Sequence, residues 1–203
     1  MRSMVPAVHS PLQSVMRLHS AAKSTHSALR PMCILVLLPG FVFAQGTGEW
    51  DGRMSPLAEE HHRLGVAAMS RGDVKTAIRE LRVALRYTPK AVPVHNSLGE
   101  AYLETGEIDK AVVALRKAIA LGPLFAPAYG NMGQALERRK DLVGARDFYE
   151  GALRLRPDWP EVRCALGMVL RAQGNYAGAR KEFEQVLESD PERAEARYHL
   201  GVT

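Results

Sequence analysis

The chain is poor in cysteine, in long apolar runs and, before residue 49, in negative charge; each shortage excludes a class of protein. Two cysteines, Cys33 and Cys164, among 203 residues are too few for a disulfide scaffold. The apolar block at residues 32–43, MCILVLLPGFVF, falls short of the roughly 20 residues a membrane-spanning helix needs, and Pro39 with Gly40 interrupt it. No glycine-rich phosphate loop, G-x-S-x-G turn or H-E-x-x-H helix occurs, so an enzyme is not expected. Metal is not expected either: His61 and His62 are adjacent and point about 100 degrees apart on a helix, with His95 and His199 far along the chain. Cys164 has no histidine placed beside it by any motif, so it reads as a small buried or groove-lining residue, and no cofactor is implied.

Hydrophobic side chains make up 46% and charged ones 24%, which suits a soluble globular chain and neither a disordered acidic one nor a polytopic membrane protein. The net charge of +5 comes from 27 basic against 22 acidic side chains. Four of the basic ones, Arg2, Arg17, Lys23 and Arg30, precede Glu49, the first acid; removing four from 27 leaves 23 against 22. The remainder is nearly neutral, so charge gives no argument for nucleic acid.

Residues 1–44 read as an address. A basic, acid-free stretch leads into the apolar block, and Val42, Phe43 and Ala44 form a small-x-small cleavage pattern before Gln45. Export to the periplasm or outside the cell is expected, with no stable membrane span after cleavage. A mitochondrial transit peptide is the competing reading, from Ser3, Ser10, Ser14, Ser20, Ser24 and Ser27 among scattered arginines. Residues 45–57 read as a linker.

Glycine then recurs at Gly65, Gly99, Gly133, Gly167 and Gly201, each 34 residues after the last. Twelve residues beyond the first four stand Ala77, Ala111, Ala145 and Ala179, and 24 beyond stand Pro89, Pro123, Pro157 and Pro191. Ile108, Ala111, Val112, Leu115, Ala118 and Ile119 share one helical face, and Leu98 and Tyr102 mark a stripe on the segment before it. Each unit is therefore expected to be two short antiparallel helices. Gly72, Gly106 and Gly174, with Lys140 in their column, should end the first helix, and Asp73, Asp141 and Asn175 should cap the second. One such pair cannot bury its apolar face, so stacking must do it.

These columns resemble the tetratricopeptide repeat family, whose 34-residue unit carries W-x2-L-G-x2-Y, A-x3-F and P. The resemblance implies an all-α fold: an α-solenoid of antiparallel helix pairs over residues 58–203, with repeats at 58–91, 92–125, 126–159 and 160–193 and a partial fifth at 194–203. The column for a large aromatic holds His61, His95, Tyr129 and Arg163, a departure expected to weaken packing locally. At the far end Phe183 and Leu187 are expected to be poorly covered, leaving a surface for self-association or marking a fragment of a longer regulatory or anchoring protein.

The resemblance also implies a non-catalytic scaffold that holds a protein or peptide partner in a concave groove formed by the first helices. The inward positions are His62, Val66 and Met69; Asn96, Glu100 and Leu103; Gln134 and Glu137; and Cys164, Met168 and Arg171. One subgroup of the family grips C-terminal carboxylates with Lys, Asn and Arg. Asn96 and Asn131 fall in suitable columns, but Glu100, Glu161 and Ala165 stand where that clamp needs Asn, Lys and Arg, which argues against it. The expected role is assembly of an exported or envelope complex, with an organellar assembly factor as the alternative.

Overall fold

One residue with positive φ sets each turn between paired helices. Gly72, Gly106 and Gly174 adopt φ of 76°, 75° and 79°, and Lys140 adopts 65° in the same column. Glycine reaches this left-handed region without steric cost, whereas a side chain there is strained. The computed structural model describes residues 53–202, and the readings of residues 1–44, Cys33 and most of the linker lie outside them.

Among the described residues the chain forms α1 (Pro56–Ser70), α2 (Val74–Tyr87), α3 (Val92–Glu104), α4 (Ile108–Leu121), α5 (Ala126–Arg138), α6 (Leu142–Leu155), α7 (Pro160–Ala172), α8 (Tyr176–Ser189) and α9 (Ala194–Gly201). Asp73, Asp141 and Asn175 cap α2, α6 and α8 by accepting from the backbone N–H of Thr76, Gly144 and Gly178 at 3.0–3.1 Å. Glu107 holds the corresponding place before α4 without capping it. Its longer side chain pairs with Lys110 and accepts from the Thr105 hydroxyl instead. The second helices end at Thr88, Gly122, Arg156 and Asp190, all near φ −140° to −136° and ψ 79° to 87°. Each precedes a repeat proline, which disfavours helical backbone at the residue before it.

Packing within a pair depends on the repeat glycine and alanine. A Cβ built on Gly65, Gly99, Gly133 or Gly167 would lie 2.5–2.8 Å from Leu81, Leu115, Tyr149 or Phe183. That is inside van der Waals contact, so any side chain would force the facing side chain or its helix to shift. Ala77, Ala111, Ala145 and Ala179 are fully buried on the facing helix. Burying each of the larger partners contributes about 1.5–3 kcal/mol.

The stack has an inner and an outer side. Each first helix touches the next one, α1 to α3, α3 to α5, α5 to α7 and α7 to α9, while successive second helices make no such contact. The first helices therefore line the shorter, concave side.

One expectation needs correction. Phe183 is fully buried, because α9 lies over α7 and α8 and places His199 in a stack with it, ring centroids 5.4 Å apart. Leu187 packs as a partly buried residue against Cys164, Val186 and Ala196. A single helix of eight residues gives enough apolar cover. In the aromatic column, His95 Nε2, the Tyr129 hydroxyl and an Arg163 guanidinium N–H each donate to the carbonyl of the preceding repeat's proline, Pro89, Pro123 or Pro157, at 2.9 Å. Three different side chains tie consecutive repeats through one backbone acceptor.

Candidate functional site

Along the inner side, positions 34 residues apart stack into ladders. Among the inward positions expected from the sequence, the most accessible ladder is Val66, Glu100, Gln134 and Met168: the first three are exposed and Met168 is half-buried. Apolar groups stand at its two ends and polar ones in the middle. The ladder beside it begins with His62, half-buried, whose Nε2 shares a 3.0 Å hydrogen bond with Ser97 Oγ on the next first helix. Burial holds the His62 imidazole below the usual histidine range, so it is neutral at pH 7. One repeat further on, Asn131 Nδ2 donates to Asn96 Oδ1 at 3.1 Å. Both bonds link successive first helices and fix their spacing at the wall.

Other inward positions sit deeper. Leu103 and Cys164 are fully buried and Asn96 nearly so, which makes them the backing of the groove. Burial pushes the Cys164 thiol up, away from the thiolate a nucleophile needs. Met69 packs against the apolar cluster under α1 and α3. Glu137 is half-buried and accepts from the Tyr149 hydroxyl at 2.8 Å, so it supports α6 from below. Arg171 is half-buried at the α7 end. The groove surface is thus drawn mainly from His62, Val66, Glu100, Gln134, Met168 and Arg171.

Glu100 gives the groove its charge character. Its carboxyl sits above the usual range, first because the concave wall replaces water around it and second because Glu104 lies one turn away. It makes no ion pair among the described residues. Nearby Arg138 is engaged with the Leu103 carbonyl. The sequence did not single out Ser97 or Arg138 as groove structure, and it weighed Asn131 only as part of a carboxylate clamp; their spacing of 35 residues from their partners, one more than the repeat, was the available signal.

Among the described residues no group of three or more His, Cys, Asp or Glu gathers in metal-binding geometry, and no helix is long and apolar enough to cross a membrane.

A search of curated proteins finds no match. Among solved structures, MamA is 25% identical, superposes with a TM-score of 0.63 and is matched over 68% of this chain and 81% of its own. PilF of Pseudomonas aeruginosa is also 25% identical, with a TM-score of 0.67 over 71% of this chain and 66% of its own. The first TPR of Spaghetti, solved with the HSP90 peptide SRMEEVD, is 22% identical with a TM-score of 0.59, over 60% of this chain and 99% of its own. The profile of the family described as Tetratricopeptide repeat matches residues 62–123, 98–160 and 164–203. With the glycine, alanine and proline columns each explained by a contact or a turn, the chain belongs to the tetratricopeptide repeat family, a fold of protein-interaction scaffolds.

Proposed function

We propose that the protein is a non-catalytic scaffold that holds an extended or helical peptide of a partner protein along its concave side. The observation that supports this best is the accessible ladder Val66, Glu100, Gln134 and Met168 on a wall already fixed by the His62–Ser97 and Asn131–Asn96 bonds. A preorganised wall loses little conformational entropy when a peptide settles on it. The solved domain of Spaghetti shows a peptide held by a protein of this fold. Here Glu100 and Glu104 disfavour an acidic segment at the groove centre, which separates this groove from the carboxylate clamp.

The protein is proposed to act after export, in assembling an envelope or secreted complex, with residues 1–44 as its cleaved signal. Sequencing the N-terminus of the mature protein should give Gln45 first; retention of the leader would remove the export reading.

The groove is tested by affinity capture with the mature chain beside a variant carrying Val66→Ala, Glu100→Ala, Gln134→Ala and Met168→Ala. These positions are surface-accessible, so helix content should be kept. Partners retained by the parent and lost by the folded variant support groove binding. Identical captures would place binding on another face.

A further inference from the structure

The outer side of the second repeat carries a pocket whose origin is a single small residue. In three of the four complete repeats, the side chain in the aromatic column of the first helix meets a residue 19 positions later on the second helix. His61 bonds Glu80 at 2.8 Å, Arg163 bonds Glu182 at 2.8 Å, and Tyr129 packs on Phe148 with ring centroids 6.1 Å apart. In the second repeat the partner of His95 is Ala114, which has nothing beyond its Cβ. The space is left as a pocket of about 410 Å³ between α2, α3 and α4. Leu85, Leu98, Tyr102 and Val113 line it together with His95 and Lys117.

The neighbouring repeat shows what such a space accepts: Phe148 fills the equivalent position with an aromatic ring. The polar groups narrow the choice further. His95 is only 4% exposed and its Nε2 must carry a proton to donate to the Pro89 carbonyl. Burial holds the imidazole below the usual histidine range, so the other nitrogen, Nδ1, is a bare acceptor without a partner among the described residues. Among the charged lining groups, Lys110 is paired with Glu107 and Asp109 lies 3.8 Å from Arg139, whereas Lys117 has no acidic partner among the described residues. The uncompensated charge at the pocket is therefore positive.

We propose that this pocket receives an aromatic side chain of a protein partner, carried next to a carboxylate that pairs with Lys117. It is a second binding surface, on the side of the stack opposite the groove, and it stands whether or not the groove binds a peptide.

The test uses the full chain, ¹⁵N-labelled, titrated with the peptide acetyl-Gly-Glu-Phe-Asp-Gly-amide and followed by backbone amide shifts. Saturable shifts at Val113, Ala114 and Lys117 are expected. Replacing Phe by Ala in the peptide should weaken binding roughly tenfold or more, since the ring supplies most of the buried area. Exchanging both peptide acids for Lys should weaken it several-fold. Ala114→Phe fills the pocket and should abolish the shifts; Lys117→Glu, an exposed change that leaves the fold intact, should make the Lys-flanked peptide the better ligand. The proposal is overturned by absence of saturable shifts at these amides, or by equal binding to Ala114→Phe. The chain itself holds an acid-flanked aromatic at Glu49, Trp50 and Asp51. Binding seen only in a Trp50→Ala variant would assign the pocket to this segment and overturn the assignment to a partner, as would pocket shifts that grow with protein concentration alone.

Discussion

Gly133 and Gly201 occupy one repeat column under opposite constraints. A Cβ on Gly133 would sit 2.5 Å from the ring of Tyr149, which is buried and held by its bond to Glu137, while a Cβ on Gly201 would meet nothing within 4 Å. Gly133→Ala should therefore cost about 1–2 kcal/mol in spite of alanine's better helix propensity, and Gly201→Ala should cost nothing and gain up to about 0.5 kcal/mol. Thermal melts of the two variants check the contrast, and equal shifts would refute the close-approach account. His95 carries a second prediction at this scale. Its folded pKa lies below the ordinary 6.5 because of burial, offset in part by the bond to Pro89. Above 6.5 the ring is neutral folded and unfolded, so stability is at its full value. As pH falls below 6.5 the unfolded chain takes up a proton that the folded chain refuses, and stability declines until the folded pKa is passed. His62 adds in the same direction. Urea midpoints measured across this range should fall with pH in the parent and fall less steeply in His95→Gln, which keeps a donor for the Pro89 carbonyl.

Between helices, the turn after α5 meets the repeat pattern at a backbone cost. Lys140 at φ 65° occupies the left-handed region that glycine fills in the other three turns. Lys140→Gly should raise stability by about 0.5–1 kcal/mol, the relief of left-handed strain less glycine's added freedom in the unfolded chain. Equilibrium denaturation decides it; a loss would mean that the lysine side chain contributes more than its backbone costs. The turns, the caps at Asp73, Asp141 and Asn175 and the stacked pairs were all legible in the sequence, because each rests on a residue type whose backbone chemistry is local and repeats every 34 positions. The groove was legible only as a set of columns. Helical register places Leu103 and Cys164 inward, but both are buried, Cys164 among Val186 and Leu187 of α8 and Ala196 of α9, and such cover depends on how neighbouring helices lie across one another. The pocket beside His95 was missed because it arises from a missing side chain, and the signal was a comparison of Glu80, Ala114, Phe148 and Glu182 down one column. Phe183 was misjudged for a related reason: cover by α9 depends on how one helix lies across two others.

Across the whole stack, contacts run only between near neighbours. Inner repeats are supported on both sides, whereas α9 touches α7 and α8 alone. Stability in such a chain is a sum of repeat and interface terms, so in this chain opening should begin where a helix has the fewest packed neighbours. Native-state hydrogen exchange should show the least protection in α9, rising through α7 and α8 to a maximum in α3 to α6. Phe183→Ala sharpens this test. The side chain is fully buried against Gly167 and His199, and its loss removes about 3–5 kcal/mol from the interface that joins α7, α8 and α9. In a stack of semi-independent units, amide protection in those three helices should collapse while α1 and α2, separated from them by two intervening repeats, keep theirs. An equal drop in every helix would instead mean that the chain opens as one cooperative block. The accessible groove ladder would then respond as a whole to damage at either end, rather than being held open by the two central repeats.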